Sequence, residues 1–199
     1  MTRRIIRRLV AALLLPVVFL LGGCDGNGGK PAFQLTDLTG ADFGRSFQLT
    51  DHLGKPRTLE DFKGKVVVLF FGYIFCPDVC PTTMGEQALV MKELGKDAER
   101  VQVLFITVDP ERDTPDLLSK YVPNFHPSFL GLYGDSAATT RTTKEFKVFF
   151  QKQAMTGGGY TVDHSAGTYL YDTAGRLRLF SSYGQGPQKL LHDIRILLQ

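Results

Sequence analysis

Val66 to Phe71 reads VVVLFF, six apolar residues in a row between Lys63-Gly64-Lys65 and Gly72. Successive side chains of a strand point to opposite faces, so an unbroken apolar run predicts a central strand covered on both sides. Its β-branched content favours a strand over a buried helical segment. Gln102 to Val108, QVLFITV, predicts a second strand of the same kind. Between them Thr82 to Leu94 reads as a helix, with Met84, Ala88, Leu89 and Met91 supplying its apolar face. Asp113-Thr114-Pro115 opens another helix running to about Tyr121. Beyond it come a strand at Phe129–Tyr133, a helix at Ser136–Phe146, an extended stretch at Val148–Lys152 and a mobile loop at Met155–Tyr160. Gly167–Tyr171 and Arg176–Ser182 flank the turn sequence DTAG, which predicts a hairpin, and Gly186–Leu198 closes the chain as an amphipathic helix. This order of elements specifies the α/β class: one three-layer sandwich around a central mixed sheet. FQLTDLTG (Phe33 to Gly40) recurs as FQLTDHLG (Phe47 to Gly54). Each copy predicts a short strand at the edge of the fold, and Asp51 to Phe62 leads into a second arm of an added N-terminal hairpin, with Leu59 and Phe62 facing inward.

The first 35 residues follow other rules. Arg3, Arg4, Arg7 and Arg8 precede the apolar stretch LVAALLLPVVFLL (Leu9 to Leu21), which ends in Leu21-Gly22-Gly23-Cys24. Basic, apolar, then small is the order of a secretory signal peptide. The closing LGGC resembles a bacterial lipobox, with Cys24 lipidated as the first mature residue. The 13 positions from Leu9 to Leu21 are short for a span of the hydrocarbon core, which is about 30 Å thick. Residues 1–23 are accordingly the expected signal peptide, 24–35 a membrane-proximal tether, and 36–199 the folded domain. Asp25, next to Cys24, resembles the enteric sorting signal for inner-membrane retention. Without residues 1–23 the chain carries 19 basic and 20 acidic side chains, so the net charge of +3 belongs to the leader. No basic stripe interleaved with aromatics remains to bind nucleic acid.

With Cys24 set aside, the cysteines are Cys76 and Cys80, in FGYIFCPDVCP straight after the first central strand. Ligands of open α/β sheets gather beyond the carboxyl ends of strands, and a cysteine pair entering a helix there suggests a thioredoxin-like arrangement. On a helix, residues four apart share a face. Two such thiols can close a disulfide or embrace one metal ion. A thiolate at a helix entry is stabilised by free amides, so a reactive pair is expected. Structural zinc wants four ligands, whereas two soft thiolates suit Cu(I) and an added imidazole keeps Cu(II) accessible. The histidines are His52, His126, His164 and His192. His164 sits in a loop before the final hairpin, His192 in the closing helix, and the other two in turns. A peroxiredoxin would place a Pro and a Thr or Ser ahead of its reactive cysteine, where Leu69 and Tyr73 stand instead, seven and three residues before Cys76. A thioredoxin-type reductase uses two intervening residues rather than three.

GKPRTLEDFKGKVVVLFFGYIFCPDVCPTTM (Gly54 to Met84), FITVDPERDTP (Phe105 to Pro115) and YTVDHSAGTYLYD (Tyr160 to Asp172) together resemble the SCO/SenC family. These are copper proteins that help to assemble cytochrome c oxidase, and the resemblance spans about residues 36–198. It implies a thioredoxin-like fold and one copper, Cu(I) or Cu(II), held by Cys76, Cys80 and His164. Asp78 matches an acid near the metal, and Asp109 with Pro110 matches the family's VDP, a support for the rim of the site. The implied role is that of a lipid-anchored metallochaperone at the bacterial inner membrane, its domain facing the periplasm. It would deliver copper to the CuA centre of cytochrome c oxidase subunit II. Another periplasmic copper carrier or a thioredoxin-like reductant would be a further partner. The alternative is a thiol-disulfide reductase that keeps the CuA-site cysteines reduced. SAGTYLYD departs from the family's longer aliphatic run, and small Ala166 and Gly167 predict a looser, wetter pocket beside His164.

Overall fold

Every residue of Val66–Gly72 and of Val101–Thr107 is buried in the structure, a computed structural model that describes residues 32–199. In chain order the strands are β1 Thr36–Asp37, β2 Leu49–Asp51, β3 Pro56–Arg57, β4 Val66–Gly72, β5 Val101–Thr107 and β6 Leu130–Tyr133. They continue as β7 Phe150–Ala154, β8 Tyr160–His164, β9 Gly167–Tyr171 and β10 Leu177–Ser182. The helices are α1 Val79–Leu94, α2 Pro115–Tyr121, α3 Ser136–Glu145 and α4 Pro187–Leu197. Eight strands form one sheet in the order β1-β10-β9-β4-β5-β6-β2-β3. β4, β5 and β6 run parallel, while β9 joins β4 antiparallel, so the sheet is mixed and flanked by helices in the thioredoxin-like manner. α1 and α4 pack against each other. The leader, Cys24 and most of the tether lie outside the described residues. Among the described residues no helix is long and apolar enough to cross a membrane.

The two FQLTD copies part company completely. β1 pairs with β10 at one end of the sheet, whereas β2 sits between β6 and β3 at the other. The second copy is therefore not outermost, because β3 covers it and completes the added hairpin. Asp51 builds that hairpin's turn: it is fully buried, accepts the amides of Leu53 and Lys55 at 2.9 Å each, and binds Arg57 Nε at 2.8 Å. Asp172 does the same for β9–β10, taking the amides of Ala174 (3.1 Å) and Arg176 (3.0 Å). Leu59 and Phe62 face inward as expected.

Three expectations fail for physical reasons. α1 begins at Val79, before Thr82, and its buried face runs through Cys80, Thr83, Met84, Gln87, Met91 and Leu94. Leu89 is 52% exposed, since two residues carry it about 200° around the helix from Met91. Tyr160–His164 is a strand rather than a loop. Only Val162 of β8 is buried, too little apolar periodicity to mark a strand. β7 and β8 pair with each other alone, as a ribbon separate from the main sheet.

Candidate metal centre

The first wall of the site grows from the carboxyl end of β4. Beyond Gly72 the chain turns, the Cys76 amide donates to the Tyr73 carbonyl at 3.3 Å, and α1 starts three residues later. Cys76 thus lies in the loop and Cys80 on the first turn of the helix, so the two do not share a helical face. They are brought together by the turn instead: the Cys80 amide donates to Cys76 Sγ at 3.5 Å. Cys80 is fully buried and Cys76 half-buried, and no disulfide joins them. The loop's tightness explains Gly72. A Cβ there would come within 2.8 Å of Phe70, 2.9 Å of Cys80 Sγ and 2.9 Å of Phe105.

The second wall is the β7–β8 ribbon. His164, its last residue, places Nε2 3.4 Å from Cys80 Sγ. Its Nδ1 lies 3.1 Å from the Ser165 carbonyl, an acceptor only, so Nδ1 carries a proton and Nε2 is the nitrogen that faces the sulfurs. Phe70 and Tyr73 hold the ring edge-on, at centroid distances of 6.2 and 5.8 Å. The pocket beside it is filled at Gly167 but not at Ala166, which lines a small cavity with Thr83, Gln87 and Thr168. Phe180 covers Gly167 so closely that a Cβ would meet its ring at 2.1 Å, so the missing side chain is replaced by an aromatic from β10.

Among the described residues, Cys76, Cys80 and His164 are the one group of potential ligands close enough to hold a metal, their donor atoms all within 4.8 Å of one another. Two thiols and an imidazole form a soft set with one borderline nitrogen, which fits copper better than calcium or magnesium. The two sulfurs differ in protonation. Hydrogen bonding from Cys80, helped by the amides of Asp78 and Cys80, lowers the Cys76 thiol to about 5. The same hydrogen bond, together with burial, pushes Cys80 well up. The metal-free centre therefore presents one thiolate at the surface and one thiol beneath it.

Asp78 and Asp109 fare differently. Asp78 is exposed and, although it stands at the N-cap of α1, makes no side-chain cap bond. Nothing ties its carboxylate to the cysteines. Asp109 is fully buried and reaches the other wall, accepting from Arg112 Nε and from the Tyr160 hydroxyl at 2.8 Å. Arg112, Asp113, Tyr160 and Tyr73 were not singled out from the sequence. An acid–base pair inside one short turn, DPERD, was the available signal. Asp113 is not the cap of α2, a role Thr114 takes by accepting the Leu117 amide. It is buried, and its carboxylate receives the Ile74 amide at 3.0 Å and the Thr107 hydroxyl at 2.6 Å. Desolvation raises it to about 6. His52, His126 and His192 stay apart, engaged with Gly131, Ser128 and Asp193.

Comparison with known proteins agrees with this geometry. The SCO1/SenC family profile matches residues 36–199. The chain is similar to Bradyrhizobium japonicum ScoI, solved with copper bound, at 41% identity, 78% of this chain and 99% of that one, with a TM-score of 0.73. Apo Sco1 of Thermus thermophilus aligns at 42% identity over 83% of this chain and 97% of that chain, TM-score 0.74. The mitochondrial protein SCO2 of Saccharomyces cerevisiae is 42% identical over 136 residues. That alignment takes in 67% of this chain, which spans only about 45% of the yeast protein's length.

Proposed function

The chain belongs to the SCO1/SenC family, and we propose that it is a copper chaperone for the assembly of cytochrome c oxidase, carrying one copper on Cys76, Cys80 and His164. The observation that carries this reading is the convergence of two sulfurs and one imidazole nitrogen within 4.8 Å. It occurs in a chain similar to a copper-bound ScoI. Copper is cargo here, and the site is built for exchange as much as for holding. Cys76 is the accessible thiolate that makes first contact. Cys80 gives up its proton as the ion moves inward, and His164 adds a nitrogen without having to change tautomer. Release retraces the order, with an acceptor ligand displacing His164 or Cys76 at the surface.

The acceptor is the CuA centre of subunit II, a dinuclear thiolate site whose ligands match the softness of this one. Residues 1–23 direct export and Cys24 carries a lipid, which leaves the domain on the periplasmic side of the inner membrane. Titration of the reduced protein lacking residues 1–24 should saturate at one copper per chain, with sulfur and nitrogen scattering in X-ray absorption. Two coppers per chain, or full binding by Cys76→Ser, would remove the assignment. Copper-loaded protein mixed with a soluble CuA domain should generate the purple dinuclear absorption.

One observation favours a second reading. A low-pKa, half-buried Cys76 above a protonated Cys80 is also a dithiol reductant. The Cys76 thiolate would attack an acceptor disulfide and expel one acceptor thiolate. Cys80, deprotonated, would then attack Cys76 Sγ, leaving a Cys76–Cys80 disulfide and a dithiol acceptor. Copper retained by this protein, while its metal-free form reduces the oxidised CuA domain, would select this reading over delivery.

A further inference from the structure

The turn from Thr107 to Asp113 touches both walls of the centre. Asp113 grips the cysteine wall through the Ile74 amide, two residues ahead of Cys76. Asp109 and Arg112 grip the histidine wall. Arg112 Nη1 donates to the Tyr160 carbonyl at 2.8 Å, and its guanidinium carbon lies 3.7 Å from the Tyr160 ring centroid. Both Arg112 Nε and the Tyr160 hydroxyl converge on the Asp109 carboxylate. The same guanidinium lies 5.1 Å from the Phe75 ring, beside Cys76. Tyr160 opens the strand that ends in His164, and that strand pairs with no member of the main sheet. A ribbon with so few ties takes its position from those it has. An exposed pair, Lys152–Glu111 at 2.6 Å, is the weaker companion of this contact.

We propose that Arg112 is a positioning residue: its contacts with Asp109, Tyr160 and Phe75 set the reach of His164 to the two sulfurs and so strengthen Cu(II) binding selectively, leaving Cu(I) to the thiolates. The inference rests on the copper reading given above. Its logic is chemical. Two thiolates suffice for Cu(I), whereas Cu(II) depends on the nitrogen, so slack in the ribbon is felt by one oxidation state alone. Only a planar fork can bond the carboxylate and the carbonyl while lying flat on a ring, which a lysine ammonium cannot do.

The test is a double-mutant cycle on the full chain, with Cu(I) and Cu(II) affinities measured by competition and the thiolate–Cu(II) charge-transfer band recorded. Arg112→Gln should weaken Cu(II) by about tenfold to a hundredfold, the range for residues that orient a metal ligand. Cu(I) should stay within about threefold, since neither sulfur is released. The charge-transfer band should shift. Arg112→Lys should fail to restore it, Tyr160→Phe should show a smaller loss in the same direction, and Lys152→Ala, which removes an exposed ion pair and a 4.7 Å contact with the Tyr160 ring, should show the smallest loss. In a His164→Ala background, Arg112→Gln should cost nothing more. Without metal, amide exchange should quicken at residues 160–164 and stay unchanged in β4 and β5. Equal losses for both copper states, an undiminished Arg112 effect in the His164→Ala background, or an unshifted band would each overturn the proposal. Wild-type protein whose copper binding is indifferent to Cys76 and His164 would instead remove the copper reading beneath it.

Discussion

The cysteine wall and the histidine wall are built to different standards. Cys80 packs on Gly72 at the end of a strand whose seven residues are all buried. His164 ends a ribbon in which four of the five β7 residues are exposed and a single β8 residue is buried. One wall is the core of the protein. The other is an arm laid against it, fastened near its tip by Arg112 at Tyr160 and at its end by the packing of His164 on Phe70 and Tyr73. The difference teaches that the two-sulfur part of the site is preformed, while the nitrogen is held by a few bonds that a partner protein can undo. A carrier needs both properties: a retained soft pair, and a third ligand that can leave.

The largest expected effect divides the two walls directly. Cys80→Ser should abolish tight binding of Cu(I) and Cu(II) alike, because it breaks the preformed pair. His164→Ala should cost Cu(II) more than the roughly hundredfold ceiling of an orienting residue and leave Cu(I) within about threefold. Competition titrations of the two variants check both. Equal losses of Cu(I) and Cu(II) in His164→Ala would mean that the walls are not separable.

Metal-free hydrogen exchange gives the next largest contrast. Amides of β4 and β5 should exchange only through global unfolding, and those of β7 and β8 by local opening. The gap should be about 3 kcal/mol or more, roughly a hundredfold in rate. Cu(II) should close much of it and Cu(I) should not. Uniform protection across both regions would contradict an arm that moves.

Legibility in the sequence follows the same division. VVVLFF and QVLFITV could be read because a strand buried on both faces leaves no polar interruption, and the cysteines could be placed because they follow such a strand at once. The hairpin turns at Asp51 and Asp172 were visible for a local reason, an aspartate followed by a glycine. The β8 strand was not. Tyr160–His164 has one buried residue, and its partner β7 is exposed, so neither shows the alternation that burial imposes. The loose pocket expected at Gly167 also failed, because the group that fills it, Phe180, is 13 positions away on the next strand. Resemblance supplied His164 as a ligand; the turn that positions it is a set of contacts between segments 50 residues apart, which spacing along the chain does not encode.

One glycine also stands beside each wall, Gly72 at the end of β4 and Gly167 at the start of β9 just after the ribbon, and adding a methyl group to each should rank how far their surroundings yield. In Gly72→Ala the new Cβ meets Phe70, Cys80 Sγ and Phe105, all buried. None has room to yield, so the cost should be about 2–3 kcal/mol in urea unfolding, with weakened copper binding of both states. In Gly167→Ala the clash is shorter, 2.1 Å, but it is with the Phe180 ring alone, which is partly exposed and can swing toward solvent. That cost should be about 1 kcal/mol. The reverse ranking would show the start of β9 to yield less than the end of β4.

The smallest effect concerns how the bracketing turn holds the cysteine loop. Asp113 is raised from its ordinary 3.8 to about 6 by burial, with the Thr107 and Ile74 hydrogen bonds opposing. A carboxyl group whose pKa is higher folded than unfolded binds its proton more tightly in the folded protein. The stability that this proton contributes is therefore complete below about pH 4 and is lost as pH rises through 6. Asp113→Asn keeps an oxygen for the Ile74 amide and has nothing to titrate. Between pH 5 and pH 7 the metal-free wild type should accordingly lose about 1 kcal/mol of unfolding free energy relative to Asp113→Asn. Taking the difference between the two proteins cancels the titration of Cys76 and of every other shared group. A difference that stays flat over this range would mean that Asp113 is already ionised at pH 5, and that the turn holds the cysteine wall with a full charge rather than with a neutral acid.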